Sequence, residues 1–372
     1  MNNSLSKEEL ENKPKASDET LESGNDPTDS KKIYEVIVAG GENKKSVEHI
    51  LLPACLPKEK NLLARLWSAI FSKSSENPQS KTDEANLLGK WSYLKPMRNR
   101  REAFMTAIYQ DQMFAFGTRS GARCFETLDL SNPRARWQYH GDILSEYISA
   151  PAAVVYGDSV YIFGGNIQRG ASTNVYRFSL VPPYTGDLIC QMPEPRSSHN
   201  AEIFDDKVII LCGSSTGFPW ANDLVDTVMQ YDITNNSFNT LPSLPVKVVY
   251  AATAKWRDNV LIVGGRGEQY HDTNTVWMYN VSSGESQKLR PMRCKRNSCA
   301  AVVAGDMLVV TGGQNSRAFE LVSAECYNFH TSKWTELPPM KQARNCPSAV
   351  VRYRTVDREQ VPAGRQPVKE EN

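Results

Sequence analysis

Short apolar runs recur along this chain, and each runs into a glycine step. The steps are Gly40-Gly41, Phe116-Gly117, Gly164-Gly165, Cys212-Gly213, Gly264-Gly265 and Gly312-Gly313. Between their second members the intervals run 76, 48, 48, 52 and 48. After a variable loop each step is followed by a further apolar run: Ser46 to Leu52, Cys124 to Leu130, Thr173 to Leu180, Asp226 to Ile233, Asn274 to Val281 and Val322 to Phe329. Five of these carry an aromatic residue: Phe125, Tyr176, Tyr231, Tyr279 and Tyr327. A third element often holds tryptophan (Trp91, Trp137, Trp334), with Phe238 in the same place once. Pro-Met or Leu-Pro punctuation and a small apolar run such as Ala300 to Ala304 complete the unit. Runs of this length between turn residues read as strands. A unit of about 50 residues repeated in register predicts a ring of sheets.

These glycine steps, aromatics and spacings resemble the kelch-repeat family over about Ile33 to Arg354. The fold this implies is all-β, a six-bladed kelch β-propeller whose blades are twisted four-stranded antiparallel sheets. Two steps lack one glycine, Phe116-Gly117 and Cys212-Gly213, and Gln287 stands where a blade tryptophan is expected. The chain enters through Ile33 to Ala39, which reads as the second strand of a blade. It leaves through Pro347 to Tyr353, which reads as a first strand. The C-terminal strand is therefore expected to close the first blade and leave no open edge. The predicted organisation is a disordered acidic tail at 1–32, a propeller at 33–354 and a second disordered tail at 355–372. An insertion at 53–86 contains NLLARLWSAIF, whose helical period predicts a short helix at 61–71.

Net charge is +1, yet the stretch 1–31 holds eight acids and four bases, so the remainder is basic. The bases gather in the loops that precede each innermost strand: Arg98, Arg100 and Arg101; Arg196; Arg290, Arg293, Lys295 and Arg296; Lys341 and Arg344. In a propeller such loops share one face, so the reading is a basic surface for a protein or an acidic peptide. The family resemblance implies that partners bind there. The matching positions before the innermost strands are Arg100, Arg101, Ser149, Arg196, Ser198, Tyr250, Arg296, Asn297, Ser298, Arg344 and Asn345. After the glycine steps they are Asn43, Arg119, Asn166, Ser214, Arg266 and Gln314. On this reading, charge reversal at Arg296 and Arg344 abolishes partner capture and spares thermal stability.

The resemblance further implies two uses for such a face, recognition of substrates for a cullin-type ubiquitin ligase and binding of actin filaments. Kelch proteins of the ligase type carry BTB and BACK modules ahead of the propeller. Residues 1–32 are too few for them, so a ligase role requires a partner that has the module.

Candidate chemistry is sparse. The five histidines, His49, His140, His199, His271 and His330, are isolated in sequence. No phosphate-cradling loop, nucleophile elbow or paired metal motif is present. The expectation is a non-enzyme without a cofactor. Eight scattered cysteines read as reduced thiols of a cytosolic or nuclear protein. There is no apolar leader and no apolar run long enough to span a bilayer, which argues against secretion and membrane spanning. With a pI near 7.5 and no aromatic platform among the bases, nucleic acid is not expected as a partner.

Overall fold

The computed structural model describes residues 32–53, 89–117, 124–142, 147–217 and 223–355. Among them the chain forms six four-stranded antiparallel sheets, with two short two-stranded ladders in the loops. Blade 2 shows the plan, from innermost to outermost strand: Met105–Tyr109, Gln112–Phe116, Cys124–Asp129 and Gln138–Asp142. Blade 3 begins at Ala152–Tyr156, blade 4 at Asn200–Phe204, blade 5 at Ala252–Trp256 and blade 6 at Ala300–Ala304. Blade 1 takes its innermost strand, Ser348–Thr355, from the C-terminal end. That strand pairs in unbroken register with Lys32–Ala39, from Lys32 opposite Thr355 to Ala39 opposite Ser348. Innermost strands of successive blades touch all the way round, and the blade 6 strand touches the C-terminal one. The ring is closed. Most of the two terminal tails, and the insertion with its expected helix, lie outside the described residues.

Each second strand is apolar on both sides, as a strand packed between two neighbouring blades must be. In Lys32–Ala39 the alternation of a strand divides the work. Val36 and Val38 pack toward blade 6, while Ile37 and Ala39 pack toward blade 2. The core is consequently six wedges, one at each junction between blades. The large aromatics sit in the wedges as expected, and Phe125, Tyr176, Tyr231, Tyr279 and Tyr327 are all buried.

Tryptophans in or just before the outermost strands peg one blade to the next. The indole N–H groups of Trp137, Trp334 and Trp91 donate to the carbonyls of Lys95, Arg290 and Pro338, each at 2.8 Å. In blade 5 the strand register places Ser286, not Gln287, at the tryptophan position. The bond survives by another route: the Tyr279 hydroxyl donates to the Pro242 carbonyl at 3.0 Å. Pro242 follows Leu241 as Arg290 follows Leu289 one repeat later, so the equivalent carbonyl is served.

The register also revises one glycine step. The N–H of Gly117 bonds the Cys124 carbonyl, just as Gly264 bonds Thr275 and Gly312 bonds Ser323. Gly117 is therefore the first member of its step rather than the second.

Candidate functional site on the loop face

Six residues, one before each innermost strand, adopt left-handed backbone: Ala103, Ala150, Ser198, Tyr250, Ser298 and Cys346, with φ between 48° and 56°. Left-handed backbone is uncommon outside glycine, and its recurrence at one blade position marks a built feature. Their amides link neighbouring blades around the axis. Ala150 donates to Ala103 at 3.3 Å, Ser198 to Ala150 at 3.1 Å, Ser298 to Tyr250 at 2.8 Å and Cys346 to Ser298 at 3.0 Å. These links make a collar of two runs, Ala103–Ala150–Ser198 and Tyr250–Ser298–Cys346, around the inner ends of the loops. The loops after the glycine steps join it: Ser149 pairs with Asn166, Ser197 with Ser214, Asn297 with Gln314, and Val249 with Arg266. The two loop classes singled out in the sequence therefore do meet.

Four arginines of these loops do not present themselves to solvent. Arg101, Arg196 and Arg344 are 0% exposed and Arg296 is 1% exposed. Each arginine carbonyl accepts from a glycine-step N–H of the preceding blade, as Arg296 does from Gly265 at 2.7 Å and Arg344 from Gly313 at 2.8 Å. Each guanidinium reaches forward into the following blade. Arg296 donates to the carbonyls of Gly312 at 2.9 Å and Ser323 at 3.1 Å, and pairs with the buried Glu325 at 3.1 Å. Arg101 pairs with Glu126 and Arg344 with Glu48, both at 2.9 Å and both fully enclosed. The carboxylates also collect the loop backbone. Glu126 accepts from the N–H groups of Arg98 at 2.6 Å and Asn99 at 2.9 Å. Glu48 does the same for Lys341 and Gln342, and Glu325 for Arg293 and Cys294. Arg196 departs from the pattern. It bonds the Thr227 carbonyl at 2.8 Å and the exposed Glu194 at 3.0 Å. Burial pulls the proton affinity of Arg196 and Arg344 down, opposed by Glu194 and Glu48 respectively.

These four arginines are pins between blades. The expectation that they form a ligand-facing basic cluster is corrected by their enclosure, and so is the expectation that reversing Arg296 and Arg344 spares stability. A charge that has lost its partner inside a protein is strongly destabilising. The glutamates went unnoticed in the sequence. Their signal was an acidic residue near the start of the third strand, at Glu48, Glu126 and Glu325.

The other candidate positions divide by exposure. Asn297 is enclosed; its amide nitrogen donates to Asp272 at 2.6 Å, and its oxygen accepts from Gln314 at 3.1 Å. Asn345 is buried against Glu42 at 3.2 Å, and Ser198 is buried in the collar. Arg266 is half-buried and paired with Asp272 at 3.1 Å. Ser149, Tyr250 and Ser298 are half-buried, and Arg100 is exposed. Arg98, Arg293, Lys295 and Lys341 are exposed as well. Arg119 lies outside the described residues. His199 is buried, and burial, aided by the Arg196 charge, pushes its pKa down to about 3. Among the described residues no group of three His, Cys, Asp or Glu side chains is placed to hold a metal ion, and no helix is long and apolar enough to cross a membrane.

The fold has solved counterparts. The structure titled "Structure of YjhT" superposes with a TM-score of 0.59 over 68% of this chain and 88% of that chain. At 14% identity the likeness is one of fold alone. No curated protein matches the chain. The KLHDC2/KLHL20/DRC7 Kelch-repeats domain matches residues 150–356, which span blades 3 to 6 and the closing strand. Closed ring, glycine steps and this match agree: the chain belongs to the Kelch-repeat domain family.

Proposed function

We propose that this protein is a protein-interaction module that takes a partner segment on the loop face, over the collar. Kelch propellers generally mediate protein–protein interaction rather than catalysis. The observation that carries the reading is the collar itself. Six left-handed residues, linked from blade to blade in two runs of three and tied to the neighbouring loops, present Ser149, Tyr250 and Ser298 on the loop face. Rigid presentation lowers the entropy lost on binding. A tyrosine among serines suits recognition of an extended peptide, because it offers a large area with only two torsions to fix. The exposed bases Arg98, Arg100, Lys295 and Lys341 favour an acidic partner and faster association at low salt.

The test is a peptide-display selection on the wild-type disc, repeated with Tyr250→Ala and with the pair Arg100→Glu and Lys295→Glu. Selected peptides are expected to be rich in Asp and Glu. They should lose at least about tenfold in affinity on either variant, a difference of about 1.4 kcal/mol. Peptides that bind all three proteins equally would refute the loop face as the site.

A further inference from the structure

The arginine pin is absent from two blades. Blade 3 has Ile148 and blade 5 has Val248 at the arginine position, and the glutamate position holds Tyr176 and Trp277 respectively. The two losses are not equivalent. In blade 3 the longer Ile148 and the buried Tyr176 fill the space and join one apolar cluster. In blade 5 Val248 is shorter and Trp277 is only half-buried. A cavity of about 410 Å³ is left, lined by Val248, Gly264, Thr275 and Trp277 among others. Gly264, Thr275 and Trp277 stand one repeat before Gly312, Ser323 and Glu325, the three groups that hold the Arg296 guanidinium. The backbone around the cavity is unchanged. Gly264 still donates to Thr275 at 2.9 Å, and Val248 still accepts from Gly213 at 2.9 Å. A side chain at Gly264 would place its first carbon 2.3 Å from the Arg296 carbonyl, so the close approach is kept as well.

We propose that this open slot is a binding site for an arginine side chain supplied by a partner protein. The chain's own arginines show what the shape accepts. In blades 1, 2 and 6 a guanidinium enters between a glycine-step carbonyl and the carbonyl two residues before the glutamate: Gly40 and Ser46, Gly117 and Cys124, Gly312 and Ser323. Blade 5 offers Gly264 and Thr275 in the same places. The indole of Trp277 replaces the glutamate, and a planar guanidinium stacks on an indole face. That face already attracts a cation, since the Lys288 ammonium lies 5.3 Å from the Trp277 ring centre. Lys288 is exposed and free to swing aside. The cavity wall carries Asp226 and Glu268 against Lys247 and Lys288, so the site is balanced and gains a net negative environment once Lys288 leaves the ring. The slot opens beside the collar, and the inference adds a partner chemistry that the exposed bases do not predict. It does not require the collar to bind anything.

The experiment follows the Trp277 indole N–H by NMR in the full chain, assigned with Trp277→Phe, during titration with the probe acetyl-Gly-Arg-Gly-amide. The neutral counterpart with citrulline in place of arginine is the control. A saturable shift with the arginine probe, at least about tenfold tighter than with citrulline, supports the site. The double variant Val248→Arg with Trp277→Glu rebuilds the missing pin from blade 6. It should abolish binding, read through the Thr275 amide, and hold or raise Tm. If that variant fails to fold, Val248→Met fills the cavity without charge and should likewise weaken the probe. The proposal is overturned by equal affinity for both probes, by no saturable shift, or by full binding in the filled variants. Success here, together with displayed peptides that bind the wild type and the collar variants equally, would overturn the collar reading alone.

Discussion

Arg296 and Glu325 form a pair that neither can leave without cost to the other. Replacing Arg296 by isoleucine leaves the Glu325 carboxylate enclosed with its charge uncompensated, at a cost of about 3 to 5 kcal/mol. The chain contains its own remedy, since blade 3 uses Ile148 and Tyr176 in these places. Arg296→Ile combined with Glu325→Tyr should therefore recover most of the loss, measured as denaturant midpoints of the two single variants and the double variant. A double variant as weak as the sum of the singles would show that the two kinds of pin are not interchangeable. Two further residues set the response to pH. Burial raises the Glu202 pKa from 4.5 to about 7, so its stabilising contribution is complete below 4.5 and is lost as pH rises toward 7. Glu202→Gln, which keeps the acceptor for Thr253, should raise Tm at pH 8 and leave it nearly unchanged at pH 4. His199 has the opposite sign. With its pKa lowered from 6.5 to about 3, it stays neutral in the fold and loses stability as pH falls between those values. His199→Gln should flatten the acid limb of the Tm profile.

At the scale of the element, the C-terminal strand is the piece whose loss reaches furthest. Ser348–Thr355 supplies the innermost strand of blade 1 and touches the innermost strands of blades 2 and 6. Ending the chain before Ser348 exposes the edge of Lys32–Ala39 and opens two wedges at once. The expected outcome is loss of a single cooperative thermal transition, with association visible by size-exclusion chromatography. The outermost strands carry smaller stakes. Tyr279→Phe removes the hydroxyl that stands in for the absent blade 5 tryptophan, and should cost about 1 kcal/mol in a denaturant titration.

The whole molecule is a ring without a single centre. Its core is divided into six wedges, each shared by two blades, and the loops of one face are locked together by the pins and the collar. Such a frame moves little, so changes on the face should alter binding while Tm stays constant. The display experiment with Tyr250→Ala, paired with a thermal melt of the variant, measures this.

Much of this architecture could be read along the chain. Glycine steps, recurring aromatics and a regular spacing specify repeated antiparallel blades, because turn chemistry and strand period are local properties. The C-terminal run at Ser348 was legible as a first strand for the same reason. What the chain order could not convey was direction. An arginine before an innermost strand looks like surface charge until a glutamate from the third strand is folded onto it, as with Arg296 and Glu325. Exposure depends on the packing of distant groups, and only the closed ring brings Arg344 to Glu48 from opposite ends of the sequence. The empty slot of blade 5 belongs to the same class: Val248 and Trp277 are ordinary apolar residues in sequence. They become a cavity only when the blades around them fix where an arginine would have been.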